Sequence, residues 1–231
     1  MAKRLSDITK LIDSSSQNFI GYLQENIDDE IVEILKRLER DTSVLIFSGI
    51  IRNFFLGINE VRDIDIVLSK KIEITQYFEN AKIRQNSFGG YKITLRNTNI
   101  DLWYLTDTWA FQFQKTLNFE LEKYIAATSF FNFSSICFSL SEEKFYYTNH
   151  FTRFLRDKQL DVVFKPNSNY SLCIVNTLYY SNKFSFQISE NLKSYLRILH
   201  KSDTHNYIET QIKHFGKIFY SEEDIDQFIN S

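Results

Sequence analysis

Apolar and polar positions alternate along this chain with two distinct periods. Across residues 27–40, IDDEIVEILKRLER, apolar side chains return at Ile31, Ile34, Leu35 and Leu38, the spacing of one helix face. Acidic residues crowd the start of that stretch and basic ones its end, as the helix dipole favours. Residues 5–23 carry a weaker helical period. The run VLIF, residues 44–47, reads as a short buried strand, and Ser48-Gly49 punctuates it. IIRNFFL then fits a short helix that Gly57 stops. Residues 63–68, DIDIVL, predict a second strand. QNSFGG turns the chain, residues 91–95 form a third strand, NTN turns it again, and residues 100–105, IDLWYL, form a fourth.

The order is helix, strand, helix, strand, strand, strand. The loops between the later strands are too short for crossover helices, so the unit mixes helix and sheet without being doubly wound. The second half predicts a helix over 113–128 and a hairpin in FNFSSICFSLSEEKFYYTN, turning at Ser141-Glu142-Glu143. Helices follow over 171–180 and 188–200, and Ser221 ahead of Glu222 and Glu223 N-caps a last short one. No repeat or Pro/Gly linker divides the chain; a boundary falls near 112–115 or near 166–170, in the loop-like KPNSN. The expected organisation is N-terminal helices over 1–40, a head over 41–112 and a C-terminal region over 113–231.

Composition narrows this picture. With 13 Tyr, 22 Phe, one Pro and six Gly in 231 residues, the chain is too rich in core-forming side chains to be disordered. Lys and Arg number 27 against 29 Asp and Glu, a net charge of −2, so a nucleic-acid partner would need a local basic patch. Cys137 and Cys173 are too few for a disulfide framework and read as buried thiols. No apolar run approaches the roughly 20 residues of a spanning helix, and MAKRLSDITKLIDSSS lacks the apolar core of a signal peptide. These features predict a soluble cytoplasmic protein with no membrane partner.

The candidate chemistry lies in FSGIIRNFFLGINEVRDIDIVLS. In a strand, residues i and i+2 share a face, so Asp63 and Asp65 project together while Ile64 and Ile66 project oppositely. Two such carboxylates repel unless water, a base or a cation neutralises them. Mg²⁺ favours these hard oxygen ligands and keeps room for phosphates. Asp101, set among Ile100, Leu102 and Trp103, is the candidate third carboxylate. A strand ending in Ser48-Gly49 and opening into a helix offers backbone N–H groups to an anion, and Arg52 stands near enough to reach the same phosphates. A lone Asp-x-Asp or a lone Ser-Gly turn is commonplace; the ordered combination is specific. It predicts a nucleoside triphosphate site served by two Mg²⁺ ions.

These residues resemble the head-domain signature of the nucleotidyltransferase superfamily that includes bacterial poly(A) polymerases and class II CCA-adding tRNA nucleotidyltransferases. There the pattern is Gly-Gly-x-x-Arg-Asp-x-x-Leu-Gly, a short gap, then Asp-hydrophobic-Asp. Ser48-Gly49 fall on the Gly pair, Arg52 on the Arg, Leu56-Gly57 on the Leu-Gly, and Asp63 and Asp65 on the metal-binding aspartates. The resemblance implies a polymerase-beta-like α+β head, a mixed sheet with flanking helices, followed by a small strand-plus-helix C-terminal region. It implies Mg²⁺-dependent transfer of a nucleotide from a nucleoside triphosphate to a hydroxyl, first of all an RNA or tRNA 3′ end. Asp63, Asp65 and Asp101 would hold the metals and act in catalysis, and Ser48, Gly49 and Arg52 would hold the triphosphate. The chain departs from the pattern at Ser48, in place of the first Gly, and at Asn53, in place of Asp. The family's Arg-Arg-Asp stands as Phe130-Phe131-Asn132, and a Glu-Asp-x-x-Arg templating motif is missing from the C-terminal half. Two alternatives follow: a non-catalytic nucleotide- or partner-binding module, and a toxin- or defence-type transferase acting on a small molecule or protein. A protein partner supplying further acceptor-binding surface fits either.

Other residues carry weaker signals. Gly89-Gly90 read as a hairpin turn, with a loop over the nucleotide as the sharper reading. Lys92 and Arg96 either reach phosphates or solvate a strand. Asp107 caps the next helix or stands at the site's rim, and Trp103 and Trp109 read as core. The four histidines, His150, His200, His205 and His214, lack metal spacing and read as surface residues. Lys193, Arg197, His200 and Lys201 recur on one helix side, as a solvated face or an RNA-contacting stripe.

Overall fold

A computed structural model of the chain describes residues 4–61, 63–86, 89–108, 110–111, 124–166, 169–202 and 205–230. The described chain forms two compact units, Met1–Ser129 with Phe133–Arg156, and Phe130–Asn132 with Asp157–Ser231.

The first unit is built on one sheet. Its strands are β1 (Val44–Phe47), β2 (Asp63–Leu68), β3 (Lys82–Gln85), β4 (Tyr91–Leu95), β5 (Thr98–Tyr104), β6 (Ile136–Ser139) and β7 (Lys144–Tyr147). Their spatial order is β3-β4-β5-β2-β1-β6-β7. Every neighbouring pair is antiparallel except β2 and β5, which run parallel. This is the mixed α+β sheet that the resemblance implied, and it is not doubly wound, as the element order implied. The hairpin β6–β7, expected in a separate C-terminal region, extends this sheet beside β1 instead. Strand β3 carries no sequence signal, because KIRQ lies at the sheet edge with its polar residues in solvent.

Helices α1 (Leu5–Asp13), α2 (Ser16–Asn26), α3 (Asp29–Leu38), α4 (Gly49–Leu56) and α5 (Asn149–Asp157) accompany the sheet. The weak period over 5–23 is thus two helices, parted at Ser14-Ser15. Asp28 caps α3 by accepting from the Glu30 N–H at 2.9 Å. Gly57 ends α4 in the left-handed conformation, φ 69°. Between α2, α4 and the sheet, Phe19 packs against Phe54, Phe138 and Phe145 with ring centroids 4.9–5.3 Å apart. Helix α5 was not foreseen, although Phe151, Phe154 and Leu155 give it a buried face. The opposite face of the sheet carries a smaller cluster of Leu45, Val67, Leu105, Phe111, Ile125 and Cys137, with Phe47, Trp103 and Tyr146 against it. Trp103 is therefore core, as read. The expected helix over 113–128 lies mostly outside the described residues; its end, Ala126–Thr128, is a 3₁₀ turn. Trp109 lies outside them too.

The second unit contains β8 (Gln159–Leu160) and β9 (Gln187–Ile188), paired parallel, and helices α6 (Tyr170–Phe184), α7 (Glu190–Ser202), α8 (Tyr207–Phe215) and α9 (Glu222–Asn230). Ser221 caps α9: its Oγ accepts from the Asp224 N–H at 3.1 Å, and the Asp224 carboxylate accepts from the Ser221 N–H at 2.7 Å. Both cysteines are buried free thiols. Among the described residues no helix is long and apolar enough to cross a membrane.

Two readings of this unit need correction. His200 and His205 are not free surface residues: their rings stack 5.0 Å apart, and His200 Nδ1 lies 2.7 Å from the Tyr207 hydroxyl. The basic side of α7 is also not wholly a solvated stripe: Lys201 is exposed and Lys193 pairs with Glu190 at 3.4 Å, but the other two residues are engaged. Arg197 donates to the Ile229 carbonyl at 2.9 Å, and His200 faces Asp226 at 3.4 Å, so these two pack onto α9.

Candidate active site

Strand β1 leads directly into α4, and Ser48 is the hinge between them. Its backbone sits at φ 56°, ψ −97°, a conformation that a residue with a Cβ rarely adopts. The hydroxyl does not cap α4; it donates to the Ser134 Oγ at 2.8 Å. Ser48 makes no side-chain cap bond to α4, so its hydroxyl does not compete with an anion for the helix's first N–H groups. Gly49 stands at the junction of the turn and β2: a Cβ built on it would lie 3.8 Å from Asp65 Oδ2 and 4.0 Å from Arg52 Nη2. The turn, the guanidinium and one carboxylate therefore meet.

Arg52 is only 9% exposed. Its Nε and Nη2 donate to Asn53 Oδ1 at 3.1 and 3.0 Å, and its guanidinium lies 5.1 Å above the centre of the Phe133 ring. Asn53 in turn donates to the Glu60 carbonyl at 2.7 Å. The residue that stands where the pattern has Asp thus orients Arg52 through a neutral amide and adds no opposing charge.

The acidic residues are placed by register. Asp65 and Asp101 are paired across the parallel strands β2 and β5, and Asp63 lies two residues from Asp65. All three sit on one face of the sheet, the face of Phe47, which pairs with Asp65 from β1. The carboxyl of Asp65 is pushed up to about 7, chiefly by burial and then by the charges of Asp101 and Asp63; Arg52 and Lys92 act in the opposite direction. Asp63 accepts from Asn99 Nδ2 at 3.2 Å. Asp101 faces Lys92 at 3.7 Å, which gives Lys92 a place on this face. Asp107 belongs elsewhere, paired with Lys71 at 2.8 Å.

The site residues read from sequence thus lie at the β1–α4 junction and in the first turn of α4 (Ser48, Gly49, Arg52) and on two adjacent strands (Asp63, Asp65, Asp101). Among the described residues no group of three His, Cys, Asp or Glu side chains is arranged to hold a metal ion. With Asp63 turned to Asn99 and Asp101 to Lys92, the donors share a face without converging on a point. Their chemistry nonetheless fits a hard divalent cation. They are all carboxylates, and their crowding leaves Asp65 short of counter-charge. Sequence reasoning missed Ser134, Phe133 and Asn99. Asn99 was within reach, since it precedes Asp101 by two on the same strand face; Ser134 and Phe133 come from a distant segment with no local signal.

A mixed sheet whose first strand opens through a Ser-Gly turn into a helix, with two carboxylates on the next strand and a third on its parallel neighbour, belongs to a fold that solved CCA-adding enzymes share. No protein-family model matches the chain, and no curated protein matches it. Solved structures do. A CCA-adding enzyme in complex with CTP superposes with a TM-score of 0.66 and 17% identity over 90% of this chain and 54% of that one. A CCA-adding enzyme with ATP gives 0.59 and 18%, over 91% of this chain and 59% of that one. The Thermotoga maritima CCA-adding enzyme complexed with tRNA gives 0.57 and 17%, over 91% and 58%. The chain spans between half and three-fifths of the length of these three.

Proposed function

We propose that this chain is a metal-dependent nucleotidyltransferase that moves a nucleotide from a nucleoside triphosphate to the 3′ hydroxyl of an RNA. The observation that carries the reading is the meeting of Asp65 with the Ser48-Gly49 turn into α4 and with Arg52, while Asp101 lies in register beside it. The N–H groups after Ser48 and the Arg52 guanidinium would take the triphosphate oxygens. Asp63, Asp65 and Asp101 would hold two Mg²⁺ ions, which when bound supply positive charge to the α-phosphate and to the leaving pyrophosphate. The acceptor oxygen bonds to the α-phosphorus, the bond to the bridging oxygen of the β-phosphate breaks, and pyrophosphate leaves. Asp101 passes the acceptor's proton to solvent. An RNA acceptor is favoured by the fold's likeness to a CCA-adding enzyme solved with tRNA.

A second reading, a binding module without catalysis, has one observation in its favour. Phe131 packs edge-to-face on Tyr180, and Asn132 bonds the Gln159 carbonyl and the Asp161 N–H, so the segment in place of the family's paired arginines works as internal structure. Incubation with each α-³²P nucleoside triphosphate, Mg²⁺ and total RNA separates the two. Label in RNA that is lost in Asp63→Ala/Asp65→Ala supports the transferase; no label on any acceptor, with retained nucleotide binding, supports the module.

A further inference from the structure

Asp101 stands in register between two neighbours: Asp65 on the parallel strand β2 and Lys92 on the antiparallel strand β4. Residues paired in register project to one face, so a carboxylate flanks Asp101 on one side and an ammonium on the other. Lys92 Nζ lies 3.7 Å from Asp101 Oδ1, an ion pair longer than a hydrogen bond, and both side chains are partly exposed. Such a pair is weak and parts readily.

The sheet turns Lys92 toward this partner. Arg84 is paired with Lys92 from edge strand β3, and its like charge opposes a swing of the ammonium outward. Strands β3 and β4, KIRQ and YKITL, contain no Asp or Glu that could hold the lysine there. Its charge also reaches Asp65, whose carboxyl Lys92 and Arg52 hold down against the effect of Asp101 and Asp63. The neighbouring row is built differently. Thr94 donates to Asn99 Oδ1 at 3.0 Å, and Asn99 Nδ2 donates to Asp63 at 3.2 Å. An amide dipole thus faces Asp63, where a full positive charge faces Asp101.

We propose that Lys92 is a tethered counter-cation of Asp101, which a divalent ion has to displace, so that this one side chain sets how tightly the face binds metal. An ammonium and a divalent ion drawn to one carboxylate repel each other, and removing the ammonium leaves the carboxylate to the metal. The proposal rests on the assignment of Asp101 as a metal ligand in the proposed function, and it adds a residue outside the ligand set that tunes that site.

The test is titration of the full chain with Mn²⁺ in the absence of nucleoside triphosphate, the free ion being read by electron paramagnetic resonance. Lys92→Gln, at an exposed position, should bind Mn²⁺ about 3- to 30-fold more tightly than wild type. Lys92→Arg keeps the charge and should stay within about 2-fold of wild type. In an Asp101→Asn chain the Lys92→Gln change should alter the Kd by less than about 2-fold, because the partner is already gone. In chelator the effect changes sign: Lys92→Gln should melt about 1–4 °C below wild type, since the carboxylates lose a counter-charge. A lysine that served strand stability alone would move the melting temperature and leave the Mn²⁺ Kd unchanged. Mn²⁺ binding that Asp63→Ala/Asp65→Ala abolishes and Lys92→Gln leaves equal or weaker would overturn the proposal and leave the metal site standing. So would a gain in Lys92→Arg as large as that in Lys92→Gln. No Mn²⁺ held by any of these chains would overturn both the proposal and the metal site.

Discussion

Replacing Asp65 by Asn keeps the side chain's shape and removes its charge. The wild-type carboxyl is pushed from an ordinary 3.8 up to about 7. Between those values the folded chain holds a proton that the unfolded chain releases. Stability therefore falls as pH rises from about 4 to about 7 and levels off above. At about 1.36 kcal/mol per pH unit, the displacement corresponds to at most about 4 kcal/mol. Asp65 is only partly buried, and solvent access reduces this to roughly 1–3 kcal/mol. At about 2–4 °C per kcal/mol for a chain of this size, Asp65→Asn should raise the Tm by roughly 2–12 °C near pH 8. Near pH 4.5 most of the penalty is already absent from wild type, and the gain should shrink to about 1–2 °C. Calorimetric melts of both proteins at the two pH values, in chelator, measure this. A variant that melts no higher than wild type near pH 8, or that gains equally at both pH values, would refute the argument that carboxylate crowding strains this face.

Other outcomes follow from the same geometry. Mg²⁺ at about 100 times its Kd should stabilise wild type by about 2.7 kcal/mol and leave the Asp65→Asn melting temperature nearly unmoved, as read by thermal shift. Ser48→Gly relieves a positive φ, whereas Ser48→Ala keeps the strain and loses the bond to Ser134; urea melts should place the Gly variant about 1 kcal/mol or more above the Ala variant. Gly90→Ala puts a Cβ 2.6 Å from the Trp103 ring, which packs on the core cluster, and should cost about 1–3 kcal/mol in the same assay. Ser221→Ala removes the cap of α9 and should cost about 1 kcal/mol.

Local chemistry made much of this protein legible in its sequence. Strands β1, β2 and β4 begin and end where apolar runs meet turn residues, because alternation and punctuation are properties of neighbouring residues. The pairing of Asp63 with Asp65 on one face follows from a period of two and needs no tertiary information. What the sequence left open depended on residues far apart along the chain. That Asp101 stands level with Asp65 is a matter of register between β2 and β5, set by how Ile64, Ile66, Ile100 and Leu102 bury together on the opposite face. That β6 and β7 extend the head sheet is decided by the backbone of β1, whose second edge requires a partner. Edge strand β3 and the basic side of α7 misled local reading for one reason: solvent at a sheet edge and packing against α9 are tertiary facts. The same holds for Ser48. Its hydroxyl and its helix-entry position are visible in the sequence, but its positive φ and its bond to Ser134, 86 residues away, exist only once the sheet has closed around them.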